Sequence, residues 1–347
     1  MKSHKKEIIT VAILMAAAVV IFAGILKPEA TQTKKCSLIY IPKIRDNTND
    51  FWTSVISGCK MAAEEYESDL EILAPDKEEN IEEQNKLLKQ QAQMQRAFQA
   101  SQLLAQLCIK REEASTELAA ILFSPSSMDA SDELLKEAKE KGIRITYIDS
   151  YTKEELQDLT VATDNVNAGR MLGEYARKLI DKDSKIAIVS HVKGVSTAVE
   201  REQGFREGLG DYADNIVDIV YCNSLYEKSY ELAQELMRKY PDLELIAGMN
   251  EYSAVGVGRA VSDAGAKDKI AVVGVDCSQE AINLMEMGVY KGIIVQKAFR
   301  MGYIGVEETI HMLNGDAVEK NIDSGCELVT PENMYNSDIE RLIFPFS

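Results

Sequence analysis

Nine short apolar runs, separated by longer stretches of helical periodicity, constrain this sequence more than any other feature. The runs are "CSLIYIP", "LEILAP", "AAILFSP", "RITYID", "KIAIVS", "VDIVYC", "LELIAGM", "IAVVGVD" and "GIIVQ". Each is apolar nearly throughout rather than at alternate positions, the pattern of a strand covered on both faces. Between them, stretches such as "DASDELLKEAKEKG" and "NAGRMLGEYARKLIDK" place apolar residues three or four apart, and Gly142 supplies a stop for the first. Strands alternating with helices give parallel sheets clad by helices, an α/β fold. The strands outnumber what one compact sheet takes readily, and 347 residues exceed one ordinary hydrophobic core. The expectation is two doubly wound parallel-sheet lobes.

That topology locates a site before any motif is named, because open parallel sheets bind ligands outside the carboxyl ends of their strands. "LIYIPKIRDNTNDFW" closes the first strand, and its loop carries Arg45, Asn49, Phe51 and the single tryptophan, Trp52. "RITYIDS" ends in Asp149, "LIAGMNE" in Asn250, "VVGVDCS" in Asp276 and "GIIVQKA" in Gln296. Any one of these can instead cap the next helix. Together, with aromatics on the first loop, they point to a ligand site. Carboxylates and amides pair with vicinal hydroxyls, and an aromatic face covers the C–H face of a sugar ring. The set suits a monosaccharide or similar polyol.

Charge and motifs exclude other classes. A net charge of −17 with no basic stripe repels a phosphate backbone, so no nucleic-acid partner is expected. The cysteines (Cys36, Cys59, Cys108, Cys222, Cys277 and Cys326) form no C-x-x-C pair and read as isolated thiols. His4, His191 and His311 fit no H-E-x-x-H pattern, so neither a metal nor a cofactor is expected. There is no G-x-S-x-G elbow or P-loop, and "GVGRAVSDAG" continues as an ordinary helix. The chain therefore reads as a binding protein rather than an enzyme. The alternative is a sugar- or nucleotide-processing enzyme with Asp149 and Asp276 as an acid/base pair.

The amino terminus is distinct. Lys2, Lys5 and Lys6 precede an uncharged apolar run from Ile8 to Leu26, long enough to span a ~30 Å hydrocarbon core. "FAGILKPEATQTKK" offers no small-x-small cleavage site, and Cys36 lies too far on for a lipoprotein cysteine. The reading is a cytoplasmic basic tail over 1–7, a transmembrane signal anchor over 8–26 and a linker over 27–35. The positive-inside rule then places the rest on the extracytoplasmic face of the cell membrane.

Several ordered motifs carry a family resemblance: "NDFWTSVISGCKMAAEEY", "ITYIDS", "VATDNVNAGRMLGEYA", "VSTAVEREQGFREGL", "LIAGMNEYSAVGVGRAV", "AVVGVDCSQEAINLMEMG" and "GIIVQ". From about residue 36 onward the chain resembles the sugar-binding proteins of ABC uptake systems, of the ribose and galactose type. Their fold is shared with the effector domain of lactose-repressor-like regulators. A DNA-binding regulator is excluded, because the membrane segment occupies the place of a helix-turn-helix.

The resemblance implies a type I periplasmic binding protein whose lobes are joined by three hinge crossovers. Lobe 1 would comprise 36–162 plus 297–325, and lobe 2 163–296 plus 326–347. It implies ligand contacts from Asn49, Phe51 and Trp52 on the first loop, from Asp149, and from Arg201 in "EREQGF" as a donor to ring or anomeric oxygens. Tyr226 in "NSLYEK" would be a second aromatic jaw facing Trp52, and Asn250, Asp276 and Gln296 would complete the ring. The partners implied are an ABC permease or, if occupancy is reported rather than delivered, a sensor histidine kinase. Two departures stand out. Ser150 occupies a position where the ribose pattern has arginine, with Arg45 either a substitute or a solvated loop charge. Residues 89–118 form an insertion of helical composition, read as an extended surface helix or as an arm toward a membrane partner.

Overall fold

The computed structural model describes residues 36–107 and 118–343. The tail, anchor and linker expected over residues 1–35 lie outside these, as does Cys108. Among the described residues no helix is long and apolar enough to cross a membrane.

Among the described residues, twelve strands form two six-stranded sheets. The first contains β1 (Ser37–Ile41), β2 (Asp69–Ile72), β3 (Leu118–Phe123), β4 (Arg144–Ile148), β5 (Leu159–Ala162) and β11 (Asn321–Asp323), in the order β2-β1-β3-β4-β5-β11. All its pairings are parallel. The second contains β6 (Lys185–Ser190), β7 (Ile216–Tyr221), β8 (Leu243–Gly248), β9 (Ala271–Val275), β10 (Tyr290–Gln296) and β12 (Cys326–Val329), in the order β7-β6-β8-β9-β10-β12. Only β12 is antiparallel to its neighbour. Each of the nine apolar runs overlaps a strand; β5, β11 and β12 are additional.

The helices are α1 (Asp50–Glu65), α2 (Ile81–Leu107), α3 (Asp132–Glu140), α4 (Asn165–Ala176), α5 (Ser196–Leu209), α6 (Tyr226–Lys239), α7 (Glu251–Asp263), α8 (Gln279–Glu286), α9 (Ala298–Asn314) and α10 (Ser337–Ile343). They explain why the central strands carry no polar alternation. Along β6, Ile186 and Ile188 pack with Phe205 and Leu209 on one face, while Ala187 and Val189 pack with Val257 and Val261 on the other. In β1, Leu38 and Tyr40 face Val55, whereas Ile39 and Ile41 face Leu88 and Leu135. A strand buried on both faces leaves no position for a charge. The insertion extends α2, whose 27 residues span about 40 Å.

Two features position the site. In each sheet the strand order reverses beside one strand, β1 in the first and β6 in the second, and such switch points open a crevice at the carboxyl ends. The chain also passes between the sheets after β5, after β10 and between β11 and β12, which sets those ends face to face. Close packing of α4 on α5 fixes one side of the crevice. A Cβ at Gly204 would stand 1.9 Å from the Val166 carbonyl oxygen, and one at Gly169 would stand 2.3 Å from that of Arg201. Only glycine permits this approach, and Arg201 is held where the two helices meet.

Candidate functional site

Asp149 follows β4 by one residue and Asp276 follows β9 by one residue. Both adopt left-handed backbone conformations, with φ of 70° and 73°, at a cost of about 1–2 kcal/mol for a residue with a Cβ. Each amide still bonds to the neighbouring strand, Asp149 N–H to the Val161 carbonyl at 3.0 Å and Asp276 N–H to that of Ile294 at 2.8 Å. The sheets therefore hold the strained turns in place. Both carboxyl groups line a cavity between the sheets, and the residues are 3% and 5% exposed.

The wall from the first sheet is organised around a lysine. Lys43, two residues past β1, donates to Asp149 Oδ2 at 2.7 Å and lies 3.7 Å from Glu78 Oε1. Its Nζ is also 5.8 Å from the centroid of the Trp52 ring, within cation–π range. Asn49 caps α1, its Oδ1 accepting the Trp52 N–H at 3.0 Å, and this bond orients the aromatic pair. Phe51 meets Trp52 edge to face at 5.0 Å. Asn49 is thus a helix cap and lines the cavity as well.

The opposite wall is a connected polar network. Arg201 donates from Nε to Asn165 Oδ1 and from a terminal nitrogen to the Met249 carbonyl, both at 2.8 Å, and it lies 4.0 Å from Asp276 Oδ2. Asp276 accepts the Gln296 amide at 2.6 Å and the Glu251 N–H at 3.2 Å. Asn250 caps α7 in a reciprocal box with Ser253. His191 Nε2 is 2.9 Å from Thr197 Oγ1, and burial followed by the nearness of Arg201 and Lys43 holds its imidazole well below its ordinary range, so it is neutral. Burial raises Asp276 against the opposing pull of Arg201, and raises Glu78 against that of Lys43.

The walls also touch directly. Lys43 reaches Thr197 Oγ1 at 3.5 Å, the Tyr252 hydroxyl donates to Asp46 Oδ2 at 2.8 Å, and the Tyr151 N–H donates to Ser196 Oγ at 3.1 Å. The arrangement is a closed one.

Asn49, Phe51, Trp52, Asp149, Arg201, Asn250, Asp276 and Gln296 all line this one cavity. Tyr226 does not. As the first residue of α6 it turns its ring onto Tyr252, centroids 4.7 Å apart, with the Arg259 guanidinium 5.3 Å from its centroid, and its hydroxyl donates to Glu251 Oε1 at 2.7 Å. The aromatic that the second wall contributes is Tyr252, with Tyr226 behind it. Arg45 is exposed, and Lys43 supplies the cation of the first wall. Sequence reasoning also missed Glu78, His191, Thr197 and Glu251, which line the cavity too. Lys43 and His191 follow β1 and β6 closely enough for the strand-end rule to have found them, although sequence reasoning named neither; Glu78 sits in the acidic loop "PDKEEN" with no pattern to distinguish it.

Residues 40–317 match the family model of the periplasmic binding protein domain. The ribose import binding protein RbsB of Escherichia coli is 27% identical over 213 residues, covering 61% of this chain and 71% of that protein. The D-ribose/D-allose-binding protein of Pseudomonas aeruginosa is 25% identical over 221 residues, covering 61% and 69%. Among solved structures, a sugar transporter from Clostridium phytofermentans is 38% identical with a TM-score of 0.74, covering 84% of this chain and 98% of that one. An ABC transporter solute-binding protein from Agrobacterium vitis with bound D-fucose is 25% identical with a TM-score of 0.77, covering 88% and 99%. With the matched model spanning most of its length and its two sheets opposed across a polar cleft, the chain belongs to the periplasmic binding protein domain family.

Proposed function

We propose that this protein is an extracytoplasmic solute-binding protein that closes around a monosaccharide or similar polyol. The observation that carries the reading is the cleft itself: strand-end acids and amides from both sheets, with Trp52 and Phe51, line one cavity. Asp149, Arg201, Asn250, Asp276 and Gln296 serve the ring hydroxyls and ring oxygen, Asn49 fixes the aromatic loop, and Trp52 covers an apolar sugar face. Tyr226 supports Tyr252 from behind. A ligand touching both walls binds the closed form better than the open one, and that difference drives closure. The moving bodies are 36–162 with 297–325 and 163–296 with 326–347. No bond in the ligand need break, and the relatives are themselves binding proteins.

Delivery to an ABC permease is the role that the relatives support. Reporting to a sensor histidine kinase rests on the anchor expected over residues 8–26, which would confine the protein to the membrane plane. A thermal-shift screen against pentoses, hexoses, polyols and nucleosides tests the reading. A ligand at 100 times its dissociation constant stabilises the fold by about 2.7 kcal/mol, so one or two sugars should raise the melting temperature. A folded protein shifted by none of them contradicts the sugar assignment.

A further inference from the structure

The acids of the cleft outnumber its cations. Glu78, Asp149, Glu251 and Asp276 line it against Lys43 and Arg201; His191 is neutral, and Glu251, pushed up to about 8 by burial, is largely protonated at neutral pH. Three of the acids are answered in place. Asp149 holds Lys43 at 2.7 Å. Asp276 accepts the Gln296 amide and faces Arg201. Glu251 accepts the Phe51 N–H and the Tyr226 hydroxyl. Glu78 is the surplus. It is 3% exposed, and besides the Ser224 side chain and the weaker, more distant charge of Arg201 it has a share of Lys43 at 3.7 Å, a lysine already committed at 2.7 Å to Asp149.

A second feature points to a donor brought by the ligand. Gln296, 5% exposed, uses its amide nitrogen on Asp276, and its carbonyl oxygen Oε1 has no partner. A buried acceptor without a donor and a buried carboxylate without its own cation are both costly to leave unanswered. Among the described residues no group of three or more acidic, histidine or cysteine side chains could hold a metal ion. A hydroxyl satisfies Gln296 as well as an amine does, but an ammonium group also pairs with Glu78 in its charged form.

We propose that the preferred ligand is an amino sugar or aminated cyclic polyol whose ammonium group is received by Glu78. This rests on the reading of the cleft as a monosaccharide site. The hydroxyls of such a ligand use the groups already assigned, and its charge balances the excess acid. A neutral sugar of the same shape leaves Glu78 as it stands.

Titration calorimetry on the purified full chain tests this with ligand pairs differing in one group: glucosamine with glucose, galactosamine with galactose, an inosamine with its parent inositol. Each pair is measured in the parent and in Glu78→Gln, with melting curves confirming that both fold. The expected result is an aminated member binding at least tenfold tighter than its hydroxyl counterpart, with Glu78→Gln narrowing the ratio to under threefold. Neutral sugars binding as tightly as amines, or a ratio unchanged in Glu78→Gln, overturns the amine preference and leaves the monosaccharide reading standing. No binding by any of these pairs overturns the amine preference, and no binding by any pentose, hexose or polyol in the wider screen overturns the monosaccharide reading as well.

Discussion

Glu251 Oε2 accepts the backbone N–H of Phe51 at 3.1 Å, from one wall of the cleft to the other. Its second oxygen takes the Asp50 N–H at 3.3 Å, so a carboxyl from the second sheet sits at the amino terminus of α1. The arrangement is reciprocated, because Asp50 Oδ2 accepts the N–H of Gln279, the first residue of α8, at 3.3 Å. Acids at helix amino termini are favoured by the helix dipole, and these two join the walls directly.

Closure should therefore depend on pH. Burial, opposed by the Tyr226 hydroxyl and reinforced by Asp276, pushes the Glu251 carboxyl up to about 8. Opening separates it from Asp50 and Phe51, hydrates it and returns it toward the usual carboxylate range. The closed form thus binds the proton more tightly. Its advantage is complete below the ordinary value of 4.5 and is lost as pH rises through about 8. With one fluorophore on each lobe, energy transfer should fall between about pH 4.5 and pH 8, and Glu251→Gln should flatten the curve. A parent protein with no such change contradicts the linkage.

Lys43 should be worth more to the fold than any surface cation. It is 2% exposed and its acidic partners are 3% exposed, so Lys43→Met leaves buried carboxyls without their cation. The expected loss is about 3–5 kcal/mol in urea unfolding. Adding Asp149→Asn should recover part of it, and a double variant no better than the single would show that the pair is not coupled.

Gly204→Ala tests how the fold positions Arg201. The new methyl would meet the backbone of α4 at Val166, and backbone cannot turn aside as a side chain can. Overpacking of this kind costs about 1–3 kcal/mol or more. Both the melting temperature and ligand affinity should fall, because Arg201 lies one turn away on α5. A lowered melting temperature with unchanged affinity would separate the helix contact from the site.

Trp52→Phe keeps an apolar ring but removes the larger face. Aromatic contacts of this kind are worth about 0.5–1.5 kcal/mol, so sugar affinity should drop roughly two- to tenfold. Calorimetry on the folded variant reads this directly. Affinity equal to the parent's would mean that Trp52 is core and not a sugar contact.

Fold and site were legible to different degrees. The α/β class was legible because strands buried on both faces cannot hide their composition. By contrast β5, β11 and β12 have three or four residues each and form where the chain crosses between sheets, with no apolar run to mark them. Asp149 and Asp276 could be found because parallel strands end at the crevice, and Lys43 lies nearer the end of β1 than the exposed Arg45 does. Tyr226 misled because a sequence position does not state which way a ring turns at a helix start; packing against Tyr252 and Arg259 decided it. Glu78 had no local signal, since the partners around it, Lys43 and Ser224, are distant in sequence.

The most direct test of a ligand held between the two walls is calorimetric titration of the parent and Asp276→Asn with the sugar found by screening. The account predicts one site per chain in the parent. In a variant with the same fold it predicts affinity lower by roughly 10- to 100-fold, the loss of a charged hydrogen-bond acceptor. Unchanged affinity in Asp276→Asn would place the ligand elsewhere and contradict the account.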